Sequence, residues 1–301
     1  MTTKDFRTED WDPAFADLDL WDTSTALARL HASQMEAVAA VGPALPVLAR
    51  AVDAAAKRLG DGQGRLIYAG AGTSARIAVQ DGVELLPTFG WPAERVAFVV
   101  AGGEAALLRP VENAEDGASE AEVRIGSLGV GADDVVIAVA ASGETPFTLA
   151  ALRTAKASGA LTVGVASNPG SSLIREAEFG VLLATGAEAL AGSTRMKAGT
   201  AQKTALNMFS TMLMVRLGRV YRGLMVDMLA TNAKLKRRAV KMLVAIDGCT
   251  DEEAGAALAA AGGHVKTAVL LRRGLDADAA HALLARHGER LRDALAELEA
   301  R

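Results

Sequence analysis

The chain has 301 residues, half of them hydrophobic, which is enough for a full-sized core and a second, smaller module. Its formal net charge of −4 gives no basic excess, so binding to nucleic acid is not expected. A single cysteine, Cys249, excludes an intramolecular disulfide framework and fits a reducing compartment. The acidic start lacks the pattern of a secretory signal, and no apolar run reaches ~18 residues, so we expect a cytoplasmic protein without a membrane span.

The first part of the chain carries two kinds of pattern. Residues 1–22 are rich in Asp, Thr and Trp without a clear period, which predicts an extended arm. From residue 23 to residue 58 apolar residues recur at helical spacing, with interruptions at Gly42-Pro43 and Pro46. We therefore predict an N-terminal region over residues 1–58 that consists of the arm and two helices.

Short apolar runs then alternate with helical stretches. The runs are residues 66–69, 96–100, 135–140, 161–165 and 179–183. Such runs are typical of parallel strands covered on both faces, and the intervals between them are long enough for crossover helices. The pattern predicts an α/β fold, a doubly wound parallel sheet of about five strands, within residues 59–236.

The remainder of the chain is helical in pattern. Residues 200–217 are apolar on most faces, which predicts a helix buried on several sides. We interpret its methionines, Met208, Met212 and Met214, as core or subunit-interface packing rather than as a binding stripe. Thr250 with Glu253 has the spacing of a capping box, so we predict a small C-terminal helical module over residues 237–301, in which a further helix starts near Gly274 and Asp276.

Two turns rich in Gly, Ser and Thr directly follow predicted strands. Their candidate binding residues are Gly72, Thr73 and Ser74 in the first turn and Ser142, Gly143 and Thr145 in the second. Hydroxyls together with the free backbone N–H groups of a helix start can hold a phosphate monoester without a lysine or a metal ion. In an α/β fold both turns lie at the carboxyl ends of strands, where ligands bind. The turns could also be tight connections only, but two of them at equivalent places favour a binding function.

Other common chemistries lack support in the sequence. Ala75 occupies the place of the third glycine of a GxGxxG motif, and no GxxxxGK[ST] motif occurs, so a dinucleotide or ATP site is disfavoured. The spacing of the four histidines, His31, His264, His281 and His287, matches neither a metal site nor a catalytic triad. We expect no metal ion at the site and no cofactor.

Two glutamates are candidates for acid–base chemistry. Glu84 lies between Val83 and Leu85 in an apolar segment, and Glu115 lies in an acidic stretch after the second predicted strand. Two carboxylates can act as general acid and general base if their surroundings separate their pKa values. Most glutamates only solvate a surface, so the residues alone leave both as candidates.

A third segment, residues 191–203, mixes small and hydroxyl residues with basic ones. Ser193 and Lys197 in this segment suit an anionic, polyhydroxylated ligand. The alternative is a solvated helix start, which would leave Gly192 and Gly199 without an explanation.

Several of these segments together resemble one known family. The segments are GAGTSAR, PTFG, VENAED, AASGETP, SNPGS, GSTRMKAGTAQK and MVDMLATNAKL. They resemble the N-acetylmuramic acid 6-phosphate etherases, which belong to the SIS (sugar isomerase) proteins that bind sugar phosphates. The resemblance runs from about Thr8 to the C-terminus, and the chain departs from it at Ala75, where the family usually has Gly, and at Leu85-Leu86, where it usually has Cys-Pro.

The resemblance implies a SIS fold, a homodimer whose sites draw on both subunits, and a phosphosugar ligand. The family's catalytic glutamates fall on Glu84 and Glu115, and its phosphate-binding hydroxyls fall on the two turns. The implied reaction cleaves the D-lactyl ether at C3 of the sugar and needs no cofactor or metal. We interpret Glu84 as the acid, held protonated by apolar surroundings, and Glu115 as the base.

Two other functions remain as alternatives. One is a non-catalytic sugar-phosphate sensor similar to the glucokinase regulatory protein, which the retention of both glutamates argues against. The other is a sugar-phosphate isomerase of the same superfamily, which the absence of a well-placed histidine argues against.

Overall fold

A computed structural model describes residues 7–60, 62–228, 230 and 232–300. The chain divides into two compact units: the described part of Met1–Gly82 with Glu94–Ser210, and the described part of Val83–Ala93 with Thr211–Arg301. Residues 1–6 of the predicted arm, and Leu229 and Thr231 of the MVDMLATNAKL segment, lie outside the described residues. The three-part division at residues 58 and 236 stays a prediction.

The first unit is built on a parallel five-stranded sheet. Its strands are β1 (Leu66–Gly70), β2 (Val96–Val100), β3 (Val135–Val139), β4 (Leu161–Ala166) and β5 (Phe179–Leu182). They are arranged in the order β2-β1-β3-β4-β5, and every neighbouring pair is parallel. Every residue of β1, β3 and β4 is buried, as the apolar runs predicted. The doubly wound α/β fold is confirmed.

The described residues contain fourteen α-helices. In chain order they are α1 (Thr23–Ala39), α2 (Leu45–Gly60), α3 (Gly72–Val83), α4 (Leu85–Phe89), α5 (Ala105–Leu108), α6 (Ala118–Ser127), α7 (Pro146–Ala157), α8 (Ser172–Glu176), α9 (Lys197–Arg216), α10 (Ala233–Asp247), α11 (Asp251–Ala260), α12 (Val265–Arg272), α13 (Ala277–Arg286) and α14 (Leu291–Glu299). The connections between successive strands all contain helices, as parallel pairing requires.

The start of the chain differs from the prediction. Residues 7–20 contain three short 3₁₀ turns, Arg7–Glu9, Pro13–Phe15 and Leu18–Leu20, so the prediction of an extended arm is wrong for the described part. In the second turn Asp12 accepts a hydrogen bond from the backbone N–H of Ala14 at 2.9 Å, and Pro13 supplies a fixed φ. These local side-chain effects leave no periodic signal in the sequence.

The two helices predicted between residues 23 and 58 are confirmed as α1 and α2, and they are separated by the 3₁₀ turn Gly42–Ala44. By length and apolar content alone, the run Thr23–Gly60 could cross a membrane, but core helices of soluble proteins meet the same criterion. Within α1 the apolar side chains of Leu27, Met35 and Val38 are exposed. This face of α1 is therefore apolar and open in the single chain.

The second unit has its own helical core. Most of its buried residues come from α10 to α14, among them Leu243, Val269 and Leu284. The predicted capping box is confirmed, because Thr250 Oγ1 accepts from the Glu253 N–H at 3.2 Å and the Thr250 N–H donates to Glu253 Oε2 at 2.8 Å.

Two further helices that were predicted from the sequence, α13 and α9, are present in the structure. Asp276 caps α13 by accepting from the Ala279 N–H, as predicted. The helix predicted over residues 200–217 is present as α9, where Met214 is fully buried and Met208 and Met212 are exposed.

The amino ends of β1 and β3 are joined by an ion pair. Arg65 Nη2 lies 2.7 Å from Asp134 Oδ2, and the Arg65 backbone N–H donates to Asp134 Oδ1 at 2.8 Å. The Arg65 guanidinium also donates to the carbonyls of Leu128 and Gly129. Burial alone would raise the pKa of Asp134, but the hydrogen bonds from Arg65 and from the Gly131 N–H, together with the charge of Arg65, outweigh it and lower that pKa below its usual value. At the amino ends of β1 and β3, the polar side chains therefore hydrogen-bond to one another and to nearby backbone groups.

Candidate active site

The strand order places a crevice at the carboxyl ends of β1 and β3. Strand β1 lies between β2 and β3, so the chain leaves β1 toward one side of the sheet and leaves β3 toward the other. In doubly wound sheets ligands bind at this reversal of strand order, outside the carboxyl ends of the strands. The two turns rich in Gly, Ser and Thr follow these two strands.

The first turn leads from β1 into α3. Gly72 has φ +54°, a left-handed conformation that favours glycine, and it is the first residue of α3. Thr73 is half-buried and Ser74 is buried, and the first turn of α3 contains no acidic side chain. Ala75 packs in an apolar cluster with Val100 and Ala106, which accounts for a methyl group at this position.

The second turn leads from β3 into α7. Gly143 has φ +70°, and a Cβ at this position would collide with Ser171 Oγ. Ser142 Oγ accepts a hydrogen bond from the Glu144 N–H at 3.1 Å and lies 3.5 Å from Thr145 Oγ1. Thr145 is the N-cap residue of α7, and its side chain makes no capping hydrogen bond. Its hydroxyl is therefore available to a ligand at the helix start.

The two turns share one cavity of about 450 Å³, and its lining residues all belong to the first unit. The lining consists of Glu9, Ala71, Gly72, Thr73, Ser74, Glu115, Asp116, Ala140, Ala141, Ser142, Glu144, Thr145, Pro146 and Thr194. The structure thus brings both turns and one of the two candidate glutamates to a single cavity.

A smaller cavity of about 310 Å³ also borders Glu115. It shares Gly72 and Thr73 with the larger cavity and adds Arg76, whose guanidinium donates two hydrogen bonds to the Ala106 carbonyl. Glu115 itself is exposed and lies in the 3₁₀ turn Ala114–Asp116. Its carboxylate is open to a molecule that enters from solvent.

Glu84 has different surroundings from those predicted. It belongs to the second unit, where it precedes α4 as the N-cap residue without a side-chain capping bond. The side chain is exposed, and so are the neighbouring Val83 and Leu86. The expectation that Glu84 lies in apolar surroundings is wrong for the single chain, because α4 buries Leu85 and Phe89 instead.

The third predicted segment leads into α9. The backbone N–H groups of Lys197 and Ala198 donate to the carboxylate of the fully buried Glu188 at 2.7 and 2.9 Å. The Lys197 ammonium is buried and lies 3.5 Å from Glu36 Oε2. Neither Lys197 nor Ser193 is among the residues that line the described cavities, and the same holds for Gly143. Their contact with substrate stays a prediction.

The glycines of this segment have physical explanations. Gly192 has φ +73°, and a Cβ there would lie 2.9 Å from Glu9 Oε2. A Cβ on Gly199 would lie 3.3 Å from Ile77 Cδ1 and 3.4 Å from the Thr194 carbonyl oxygen. Both positions are close approaches that favour glycine over a larger residue.

Four polar lining residues were not identified as site residues from the sequence, namely Glu9, Asp116, Glu144 and Thr194. Glu9 is more than 60 residues before the first turn, so only the folded chain brings it to the cavity. The Glu144 carboxylate accepts a hydrogen bond from the Ser172 N–H at 2.9 Å. Thr194 could have been noticed, because it lies beside Ser193 in the segment already considered.

The most strongly buried carboxylate near α3 serves another purpose. Asp81 accepts hydrogen bonds from the Tyr68 hydroxyl at 2.9 Å and the Ser210 hydroxyl at 3.1 Å. Burial raises the pKa of Asp81 and raises that of Tyr68 as well. Asp81 borders neither of the two cavities at the carboxyl ends of the strands. Its hydrogen bonds instead join β1, α3 and α9 inside the first unit. Within the described ranges, no three His, Cys, Asp or Glu side chains are grouped as metal ligands.

The doubly wound parallel sheet is the fold of a SIS domain. Residues 112–212 match the SIS domain, and residues 47–156 match the glucokinase regulatory protein N-terminal SIS domain. A phosphoheptose isomerase from Francisella tularensis has a similar fold, with a TM-score of 0.50 and 18% identity over 64% of this chain and 98% of its own.

Curated relatives identify the family more closely. The chain is 50% identical to N-acetylmuramic acid 6-phosphate etherase of Deinococcus radiodurans over 98% of this chain and 96% of the relative. It is 48% identical to the Cronobacter sakazakii enzyme of the same name, with 94% and 95% coverage, and 43% identical to that of Streptomyces avermitilis, with 98% and 94% coverage. The chain belongs to the N-acetylmuramic acid 6-phosphate etherase family.

Proposed function

We propose that this chain cleaves the D-lactyl ether of N-acetylmuramic acid 6-phosphate and gives N-acetylglucosamine 6-phosphate and D-lactate. Relatives with this name are up to 50% identical over nearly the whole chain. The observation that carries the proposal is the cavity at the carboxyl ends of β1 and β3, where two helix starts with hydroxyl side chains lie beside the candidate base Glu115.

The two turns are proposed to hold the 6-phosphate. Thr73, Ser74, Ser142 and Thr145 supply hydroxyl donors, and the starts of α3 and α7 supply backbone N–H groups. Neither helix has an acidic residue in its first turn, which would repel the phosphate. Gly143, Ser193 and Lys197 complete the set proposed from the sequence.

The reaction needs only proton transfers. In the open-chain sugar the C1 aldehyde acidifies the C2 proton, which Glu115 removes as general base while Glu84 protonates the departing lactate oxygen. Water then adds at C3 of the unsaturated aldehyde, and C2 regains a proton. No electron is transferred, so the chemistry requires no redox cofactor.

We propose a homodimer, because α1 exposes Leu27, Met35 and Val38 on one open face and Glu84 lies near two further exposed apolar side chains, those of Val83 and Leu86. Contact with a second subunit would supply the desolvation that Glu84 lacks in the single chain. We further propose that the protein acts in the cytoplasm on a small phosphosugar.

The regulatory alternative is less well supported. The match to the glucokinase regulatory protein domain spans residues 47–156, whereas the etherase relatives match along 94–98% of the chain. Both glutamates of the etherase motifs are also present.

The proposal predicts lactate release that depends on both glutamates. Purified protein incubated with N-acetylmuramic acid 6-phosphate is expected to release one D-lactate per substrate. Glu84→Gln and Glu115→Gln should each lower kcat by on the order of 10² to 10⁴, because each removes a group that transfers a proton. An enzyme-coupled lactate assay measures the rate.

Glu122→Gln is the matched control, since Glu122 is exposed on α6 and borders neither described cavity. It should keep the rate of the unmodified protein. Binding of the substrate without lactate release at high enzyme concentration would contradict the proposed function.

A further inference from the structure

The first described turn of the chain is attached to the segments that follow β4 and β5. Thr8 is fully buried, and its backbone N–H donates to Asn168 Oδ1 at 3.3 Å while Asn168 Nδ2 donates to Thr8 Oγ1 at 3.0 Å. Asn168 follows β4 and is itself buried. Three residues after Thr8, the backbone of Trp11 forms a β-bridge with that of Glu188. The turn Arg7–Glu9 is therefore held at two points.

This attachment places Glu9 among the residues that line the cavity of the two turns. The carboxylate lies over Gly192, where a Cβ would come within 2.9 Å of Glu9 Oε2, and φ of Gly192 is +73°. The backbone at position 192 thus leaves room for the Glu9 side chain. Glu9 is exposed to solvent, so a ligand in the cavity can reach it.

The charge of Glu9 decides what it can contact. An ionised carboxylate only accepts hydrogen bonds, and it repels a phosphate dianion. Its partner on a sugar phosphate must be a donor, namely a hydroxyl group or the acetamido N–H. We propose that Glu9 is a specificity-determining residue that accepts a hydrogen bond from the sugar part of the ligand, a role that rests on the proposed function.

This role predicts opposite effects on two ligands. Glu9→Gln removes a negative charge near the phosphate, so inorganic phosphate should bind as tightly as before or more tightly. N-acetylglucosamine 6-phosphate should bind about fivefold more weakly, because a charge-assisted hydrogen bond at a solvent-exposed site becomes a neutral one. The preference for the sugar phosphate over phosphate should fall by that factor or more.

Titrations followed by ³¹P NMR measure both dissociation constants in the same protein, including weak ones. Asp10→Asn is the matched control, since it removes the same charge from the next residue, which is exposed and does not border the cavity. The control should leave the preference unchanged. If Glu9→Gln weakens both ligands equally, the residue is only structural, and if the preference is unchanged, the inference is wrong.

The outcome separates this inference from the proposed function. Failure of the unmodified protein to release lactate, with a preference that still depends on Glu9, would overturn the etherase function and leave the role of Glu9 standing. Normal lactate release with no effect of Glu9→Gln on the preference would overturn the role of Glu9 alone.

Discussion

The two ends of strands β1 and β3 differ in how their polar groups are used. At the amino ends, Arg65 and Asp134 form an ion pair at 2.7 Å, and the remaining guanidinium donors bind backbone carbonyls. At the carboxyl ends, the hydroxyls of two helix starts line a cavity of about 450 Å³ together with carboxylates. The same two buried strands support both arrangements.

The amino ends of these strands serve the stability of the fold, whereas we propose that the carboxyl ends serve ligand binding. The polar groups at the amino ends hydrogen-bond to one another, so they contribute to the stability of the folded protein. Thr145 at the carboxyl ends makes no capping bond in its own helix and only a 3.5 Å contact with the Ser142 hydroxyl, so its hydroxyl can still donate to a ligand. The carboxyls of Asp81 and Asp134 have pKa values that burial and structural hydrogen bonds shift from the usual range. Neither residue lines the cavities, so these two shifts belong to the fold and not to the site.

The largest effect on stability is expected at the amino ends. Asp134→Asn should lower the free energy of unfolding by about 2 kcal/mol at pH 7, because it leaves Arg65 without its charged partner in a partly buried site. Urea denaturation measures this change. The exposed neighbour offers a control, and Asp133→Asn should change stability by less than about 0.5 kcal/mol.

The same variant has a predicted pH dependence. The pKa of Asp134 in the folded protein is lowered from 3.8, so its stabilising contribution is present above that value and is lost as pH falls through the folded pKa. The difference in stability between the unmodified protein and Asp134→Asn should therefore shrink below about pH 4. A difference that grows on acidification, or a kcat that falls with stability intact, would contradict a purely structural role for this end.

A smaller effect, on binding alone, is expected at the carboxyl ends. Thr145→Val should raise KM about tenfold, because a hydroxyl donor to the phosphate is replaced by a methyl group of similar shape. Urea denaturation should show stability within about 1 kcal/mol of the unmodified protein. Thr154→Val, the same change later in α7, is the control and should leave KM unchanged. A large loss of stability in Thr145→Val would show that the two ends are not divided as described.

The fold could be predicted closely from the sequence, and the physical reason is burial. All five strands appear within one residue of the predicted runs, because parallel strands covered on both faces need continuous apolar residues. The 3₁₀ turns before Thr23 were missed, since they depend on single local interactions such as that of Asp12. The capping box at Thr250 was found because its signature is local.

The site could be predicted only in part. The two turns were found because small and hydroxyl residues follow each strand directly. Glu9 was missed because its place at the cavity depends on Thr8 and Asn168, which are 160 residues apart. The burial expected for Glu84 was wrong because an apolar sequence neighbourhood does not tell which side of a short helix faces solvent.

Removal of the C2 proton at the cavity is the central step of the proposed reaction, and isotope incorporation tests this step most directly. When the reaction runs in D₂O, the N-acetylglucosamine 6-phosphate should carry one deuterium at C2 for each lactate released, because C2 regains its proton from solvent after elimination. Mass spectrometry and proton NMR of the product measure this ratio. Lactate release with product that contains no deuterium at C2 would contradict the elimination and the role of Glu115 as base.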